Sequence, residues 1–359
     1  MMENYNERYS RHFPLKSIGK KGQERLAKSR ILIAGMGGLG TISSELLASV
    51  GVGYLRIVDY DVIEMSNLPR QKLYDESEIN EAKVEVASKK LKIRNPYIII
   101  DEHNTRVDAL SSIALLEDID IVVDGLDKFS SRKALFQVAR SMKIPYVFCG
   151  AVGEAANIMV FDHSDGNPCL ICIVGEIGDD NDQSCEKLGV HPSILSIAAS
   201  IQVSEVINYV TKNDYSNLND EMLIISLTDL SFDKIKIEMN INCRVCNKHV
   251  NDDLDHGKKG ETKKGMRYIK DYGEILVTSL CGRDTKILDP TWSIDWDFES
   301  VKKIIKKAFL VQKDGKKFIS FELDNVKISL LDTGIMTLRN AGSTNIALEK
   351  FKAIIATIN

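Results

Sequence analysis

The chain has 359 residues, 44% of them apolar, and a formal net charge of −4. That length suggests two domains, or one large domain with an appendage, and the charge gives no basis for nucleic-acid binding by bulk attraction. No apolar run reaches the roughly 18 residues of a membrane span, and Met1 to Arg11 lacks the apolar region of a signal peptide. Seven cysteines, four of them in CxxC pairs, fit a reducing cytoplasm better than a disulfide framework. The charge is uneven: residues 1–250 carry 28 basic and 35 acidic side chains, residues 251–359 carry 19 and 16.

In chain order, Arg30 to Gly35 reads as a buried parallel strand, and a helix should follow Gly40 with Leu46, Leu47 and Val50 facing inward. Tyr54 to Asp59 is a second strand ending in an acid. A helix is expected over Ala82 to Ile93, a third strand about Ile98 to Asp101, a fourth over Ile119 to Asp124 and a fifth over Pro145 to Cys149. Strands alternating with helices predict an α/β fold, a Rossmann-like doubly wound sheet. Ala155 to Phe161 looks like a further strand. Pro192 to Val210 reads as a long helix with an apolar stripe of Ile194, Ile197, Ala198, Ile201 and Val206, and His191 as its cap. Met222 to Met239 should hold two strands.

Composition then shifts. Residues 251–266 are nearly devoid of apolar side chains and read as a linker between a first domain, 1–250, and a small C-terminal α+β domain, 267–359. In the latter, strands are expected at Glu274–Leu280, Phe318–Glu322, Val326–Leu331 and Met336–Arg339, with helices at Phe298–Phe309 and Thr344–Ile358. Lys302, Lys303, Lys306 and Lys307 read as a solvated helix face.

Chemistry concentrates in a few motifs. The glycines of Gly35-Met-Gly-Gly-Leu-Gly40, namely Gly35, Gly37, Gly38 and Gly40, follow a strand and open a helix, so backbone N–H groups can approach a phosphate. Asp59, at the next strand end, is placed for ribose hydroxyls. Alone, this says only nucleotide, with NAD the default. Arg70, in the loop Ser66-Asn67-Leu-Pro-Arg70-Gln71, and Lys83 add two cations suited to a triphosphate and its departing pyrophosphate. Asp127, three residues beyond Asp124, is placed to hold Mg²⁺ between phosphates. Together these favour ATP. Cys169 and Cys172 form one CxxC and Cys243 and Cys246 another, the arrangement of a structural Zn²⁺ site closed by four thiolates. Cys149, ending a core strand, reads as structural.

In this order the motifs resemble the MoeB/ThiF/HesA adenylyltransferases of the ubiquitin-activating-enzyme superfamily. The matching residues are Arg8-Tyr-Ser-Arg11, Gly35 to Gly40, Asp59-Tyr-Asp61, Ser66 to Gln71, Lys83, Asp127, the two CxxC pairs and Ser184 to Val190. The resemblance covers about residues 5–248. It implies adenylation of the C-terminal glycine carboxylate of a ubiquitin-like β-grasp sulfur-carrier protein, with a sulfurtransferase as a further partner. It assigns Gly38, Asp59, Asn67, Arg70, Lys83 and Asp127 to ATP and Mg²⁺. Arg11 matches an arginine that reaches into a partner subunit's site, which implies a homodimer. Cys185 matches a position where some members form a covalent sulfur or thioester link. The C-terminal domain is not part of the resemblance.

Two thiols keep alternative readings. Cys185 ends a Gly- and Asp-rich loop, where it is either a covalent residue or merely an exposed thiol whose acidic surroundings raise its pKa. Cys281, in Ser279-Leu-Cys-Gly-Arg-Asp284, either handles sulfur or fills a turn of a docking domain. Two rival functions share the motifs: an activating enzyme for another carboxylate, on a peptide C-terminus or a tRNA, and a non-catalytic nucleotide-binding zinc scaffold.

Overall fold

A computed structural model describes residues 2–164, 166–174, 188–212, 216–240, 243, 275–280, 285–290, 296–315, 318–331, 334 and 336–358. The linker 251–266, Cys185, Cys246 and Cys281 lie outside the described residues. The chain forms two compact units. The first holds Met1–Tyr60, Met65–Glu76 and Val86–Gly257; the second holds Asp61–Glu64, Ser77–Glu85 and Lys258–Asn359.

The first unit is built on an eight-stranded sheet. Its strands are β1 (Arg30–Ala34), β2 (Tyr54–Val58), β3 (Ile99–His103), β4 (Ile121–Asp124), β5 (Tyr146–Val152), β6 (Ala155–Phe161), β7 (Glu221–Ser226) and β8 (Ser231–Lys236), in the order β3-β2-β1-β4-β5-β6-β7-β8. The first five in that order run parallel, and β6 to β8 extend the sheet antiparallel. Apolar runs explain the centre: Ile31, Leu32, Ile33 and Ala34 of β1 and Ile121, Val122 and Val123 of β4 are fully buried, as strands covered on both faces must be. The order reverses beside β1, so the ends of β1 and β4 form the crevice where such sheets bind ligands.

Helix α1 (Met2–Arg8) and helix α2 (Gly19–Leu26) precede the sheet and were not anticipated from the sequence. They are tied to α3 (Gly38–Val50) by polar contacts. Asn95 Nδ2 donates to both Tyr9 Oη, at 2.8 Å, and the Ala48 carbonyl, at 2.7 Å, while Gln23 Nε2 donates to the Val50 carbonyl at 2.8 Å. Helices α4 (Lys83–Arg94), α5 (Ala109–Leu115), α6 (Phe129–Ser141), α7 (Leu170–Val174) and α8 (Pro192–Thr211) complete the α-helices among the described residues of the N-terminal part.

The helix faces differ from expectation in two places. In α3, Leu47 and Val50 are buried but Leu46 is 37% exposed; the inward positions are taken by Ser43, Ser44 and Ala48, small enough for α3 to pack closely on α8. In α8 the buried stripe runs through Ile194, Leu195, Ala198, Ala199, Gln202, Val203 and Val206, leaving Ile197 and Ile201 half-buried. Gln202 belongs in that stripe because every polar group it carries is matched. Its Nε2 donates to the carbonyls of Asp124 and Val147, both at 2.9 Å, and its Oε1 accepts from Ser43 Oγ at 3.1 Å. The helix is long and apolar enough to cross a membrane by composition, yet half of its apolar window is buried inside the protein, as befits a core helix. His191 caps it as expected, its Nδ1 accepting from the Ser193 N–H at 3.2 Å.

The second unit contains a six-stranded antiparallel sheet ordered β11-β12-β13-β14-β10-β9: β9 (Ile275–Leu280), β10 (Thr285–Pro290), β11 (Leu310–Asp314), β12 (Phe318–Leu323), β13 (Val326–Leu331) and β14 (Met336–Arg339). Helices α9 (Phe298–Ala308) and α10 (Thr344–Ile358) pack on one face, where Val301, Ile305, Phe351 and Ile354 meet Ile319, Phe321, Ile328, Leu330 and Leu338. Strands β10 and β11 were not anticipated. Lys302 is not part of a solvated face. It is 5% exposed, and its ammonium is held by Glu299 at 2.6 Å, the Gly315 carbonyl at 3.0 Å and Asp314 at 3.3 Å. Two segments from the N-terminal half complete this unit. Val62 bridges Ala82 antiparallel, with Ile63 N–H donating to the Glu81 carbonyl at 2.9 Å and Lys83 N–H to the Asp61 carbonyl at 3.1 Å.

His163 provides a pH test of the first unit. Burial pushes its imidazole down to about 4, and Nε2 lies 2.8 Å from the Ile144 carbonyl with the ring edge-on to Phe136. The folded chain keeps this ring neutral where the unfolded chain, with its ordinary value, takes up a proton. Its contribution is therefore complete above about pH 6.5 and is lost as pH falls through about 4, a loss of about 2–3 kcal/mol. Denaturant unfolding from pH 7 to pH 4 should show that slope, and His163→Asn, which tolerates the left-handed φ of 60° there, should flatten it. Equal slopes in both proteins would contradict the assignment.

Candidate nucleotide and metal sites

The glycine loop turns from β1 into α3. Gly35 has φ +89°, and a Cβ there would lie 2.5 Å from the Gly125 carbonyl oxygen. A Cβ on Gly40 would lie 1.8 Å from the Gly35 carbonyl oxygen. Only glycine fits at either position. Gly37 caps α3 without a side chain, and the first turn carries no acid. The N-terminal N–H groups of α3 thus face outward at the positive end of the helix dipole, the arrangement that receives a phosphate.

The surroundings of this loop are ordered by side chains. Asp59 Oδ2 accepts from the Met36 N–H at 2.6 Å, so this carboxylate holds the loop itself in addition to any role toward a ribose. Tyr74, buried, donates from Oη to the Met36 carbonyl at 3.0 Å. Gln71 is 3% exposed, and its Nε2 lies 3.8 Å from where a Gly37 Cβ would stand. Asn67 is also buried, whereas Ser66 is exposed; Arg70 is half-buried and donates from Nη1 to the Ser66 carbonyl at 2.6 Å. The Ser66–Gln71 segment is therefore brought to the glycine loop through Gln71, while the Arg70 guanidinium is folded back on its own loop.

Asp127 follows β4. Register pairs Ala34 with Asp124, and the Gly125 N–H donates to the Ala34 carbonyl at 2.8 Å, so the chain leaves β4 against the glycine loop and Asp127 follows two residues later, exposed. Asp124 turns inward instead. It is fully buried and paired with Arg132 of α6, Nε to Oδ2 2.6 Å. Burial pushes its carboxyl up, and Arg132 pulls it back. Arg132 also donates to the Cys149 carbonyl at 3.2 Å, and burial pushes the Cys149 thiol well up, consistent with a structural cysteine. Tyr74, Arg132 and Gln202 escaped the sequence reading; a lone amide inside an apolar helix was the available signal for Gln202.

Lys83 and Asp61 belong to the second unit. Lys83 opens α4, is 5% exposed, and its Nζ lies 3.0 Å from Asp61 Oδ2. Arg11 is exposed, on a segment anchored by the buried Tyr9.

Three cysteines converge in the first unit. Cys169 Sγ lies 3.7 Å from Cys172 Sγ and 3.5 Å from Cys243 Sγ. A tetrahedral ion with Zn–S bonds of about 2.3 Å requires S···S edges of about 3.8 Å, so the donor set fits a metal. Cys169 and Cys243 are buried in the same cluster as Phe136, Phe161 and Leu170, and the Asn240 N–H donates to Cys172 Sγ at 3.4 Å. Burial first, then the neighbouring sulfurs, push the Cys169 thiol up to about 12; a bound dication would hold it as thiolate. The expected fourth ligand, Cys246, lies outside the described residues.

Comparison with known proteins matches residues 9–245 to the ThiF family. The molybdopterin-synthase adenylyltransferase of Escherichia coli is 33% identical over 240 residues, 67% of this chain and 95% of that protein. The SAMP-activating enzyme E1 of Haloferax volcanii is 32% identical over 245 residues, 67% of this chain and 88% of that protein. Among solved structures, PaaA superposes with a TM-score of 0.55 at 25% identity, covering 66% of this chain and 75% of PaaA. Escherichia coli MccB with ATP superposes with a TM-score of 0.58 at 23% identity, covering 67% of this chain and 75% of MccB. A family match over most of the chain, relatives of one third identity and the glycine loop at the reversal point of the sheet agree: the chain belongs to the ThiF family.

Proposed function

We propose that the protein is an ATP-dependent adenylyltransferase that activates the C-terminal glycine carboxylate of a ubiquitin-like sulfur-carrier protein. Relatives named as adenylyltransferases of molybdopterin synthase and of sulfur carriers support this reading. The observation that carries it is the uncapped N-terminus of α3 behind a glycine loop that admits no side chain at Gly35 or Gly40, with the Arg70 and Asp127 loops beside it.

In the reaction a carboxylate oxygen of the carrier attacks the α-phosphorus of ATP. A C–O–P bond forms, the bond from the α-phosphorus to the bridging oxygen breaks, and pyrophosphate leaves with the electron pair. The glycine-loop N–H groups receive phosphate oxygens, and Asp59 keeps the loop in shape for them. Arg70, released from the Ser66 carbonyl, and Lys83 neutralise charge that builds on the leaving group. No proton needs to be moved, which suits a site rich in cations and poor in histidine. Mg²⁺, held by Asp127, would supply further charge neutralisation between phosphates. The acyl adenylate is then open to a persulfide or thiol from a sulfurtransferase partner. Arg11, exposed at the end of a segment with no role in the sheet, completes the site of a second subunit in a homodimer.

Arg70→Ala and Asp127→Ala should each lower carrier-dependent ATP–pyrophosphate exchange by at least about 100-fold, as loss of a charge-stabilising group does, with circular dichroism unchanged. Arg11→Ala should be equally poor alone, and mixing it with Asp127→Ala chains should restore activity at one composite site. Tight NADH binding without ATP binding would overturn the reading, and absence of complementation by a monomeric protein would remove the dimer.

The cysteine cluster holds a structural zinc, completed by Cys246, with no coordination position left for a reactive water. Elemental analysis should find one zinc per chain. Its removal by chelator should lower the melting temperature without a direct effect on exchange at low temperature. A metal-free Cys243→Ser protein of unchanged stability would contradict the zinc.

A further inference from the structure

The sheet of the second unit has two faces, and among the described residues helices cover one of them. The other carries Phe318, Ser320 and Glu322 of β12, Lys327, Ser329 and Leu331 of β13, and Thr337 and Arg339 of β14, aligned across the strands by the register Ser320–Ser329–Thr337 and Glu322–Lys327–Arg339. Ser320, Ser329 and Thr337 are 3%, 8% and 7% exposed, so the middle of this face is buried too. Arg339 of this face and Lys313 of β11 reach the two segments from the N-terminal half that belong to this unit. Arg339 Nη2 lies 2.7 Å from Glu64 Oε1, a charge contact outside hydrogen-bond angles. Lys313 Nζ donates to the Ser77 carbonyl at 2.9 Å and the Ile79 carbonyl at 3.1 Å, and is ion-paired with Glu81, Oε1 lying 2.9 Å away.

Lys313 is aimed there by a defect in the strand. Val311 pairs with Phe321, on the helix-covered face. Two residues on, a regular strand would return Lys313 to that same face. A bulge intervenes: Lys313 pairs with Ser320, not Ile319, and so faces away from the helices. The bulge therefore delivers one lysine to three acceptors spread over Ser77 to Glu81, two residues before Lys83. Arg339 grips Glu64, three residues after Asp61. Between these anchors Asp61–Glu64 and Ser77–Glu85 pair through the Val62–Ala82 bridge, and Lys83 is ion-paired to Asp61.

We infer that Lys313 and Arg339 are positioning residues for adenylation: the C-terminal sheet holds the two segments that carry Lys83 and its ion-pair partner Asp61. The inference rests on the reading of Lys83 as a phosphate-binding cation. It gives the C-terminal module a role in ATP use that needs no thiol. Neither residue is assigned a contact with substrate: Lys313 acts through the Ser77 and Ile79 backbone and Arg339 through the Glu64 carboxylate.

The test uses the full-length chain with MgATP as the probe. Lys313→Ala and Arg339→Ala should weaken MgATP binding, measured by titration calorimetry, and raise the KM for ATP in pyrophosphate exchange by about tenfold, the effect of a misplaced charged contact. The KM for the carrier should stay unchanged. Lys313→Arg should recover most of the ATP affinity, and the exchange of partners in Lys313→Glu with Glu81→Lys should recover part of it. A general loss of structure would raise both KM values and would not respond to the partner exchange, which would overturn the inference. So would wild-type ATP affinity in both alanine variants. If wild-type protein binds no ATP, the adenylation reading itself fails and the inference with it.

Discussion

Two carbonyl-to-Cα approaches decide the architecture around the proposed nucleotide site. A Cβ on Gly40 would sit 1.8 Å from the Gly35 carbonyl, and a Cβ on Gly35 would sit 2.5 Å from the Gly125 carbonyl. Because neither exists, α3 starts directly above the end of β1, and the chain leaving β4 lies against the same turn. The helix N-terminus is then open, its cap bearing no side chain, and the loop carrying Asp127 starts beside it. Asp59 and Tyr74 fasten the Met36 peptide from two sides, which fixes the direction of the loop N–H groups before any ligand arrives. Such preorganisation is what a reaction that moves charge and no proton requires.

Behind that turn lie buried polar contacts. The Asp124–Arg132 pair sits at the end of β4 with no solvent access to the carboxylate. Gln202 joins α8 to β4, β5 and α3 through three hydrogen bonds. Losing one member of either set would strand a partner in the core at a cost of about 1–3 kcal/mol or more. The strand ends that carry the glycine loop and Asp127 are therefore rigid, and the cysteine cluster packs into the same apolar cluster as Phe136 and Phe161.

Much of this was legible in the residues. Continuous runs such as Ile31-Leu-Ile-Ala34 and Ile121-Val-Val123 mark strands buried on both faces, and the glycines between β1 and α3 have no other physical use. The paired CxxC motifs placed Cys169, Cys172 and Cys243 together, as found. Other features obeyed tertiary rather than local rules. Leu46 points outward because close packing of α3 on α8 selects serines and alanine instead. Gln202 is buried because three partners from distant strands and helices await it. Strand β10, with only Ile287 and Leu288 as apolar residues, and β11, with its bulge, have too little alternation to be read. Lys302 looked solvated because its acceptors, Asp314 and Gly315, are brought to it only by the sheet.

The C-terminal module shares a compact unit with the segments bearing Asp61 and Lys83, although it lies beyond the family match, which ends at residue 245. The proposed reaction is attack of a carboxylate on the α-phosphorus. That event is tested most directly by isotope transfer. A sulfur carrier with ¹⁸O in its terminal glycine carboxylate, incubated with the protein, MgATP and hydroxylamine to intercept the acyl group, should yield AMP containing one ¹⁸O atom by mass spectrometry. Label in inorganic phosphate or pyrophosphate, or AMP formed without label, would contradict the account.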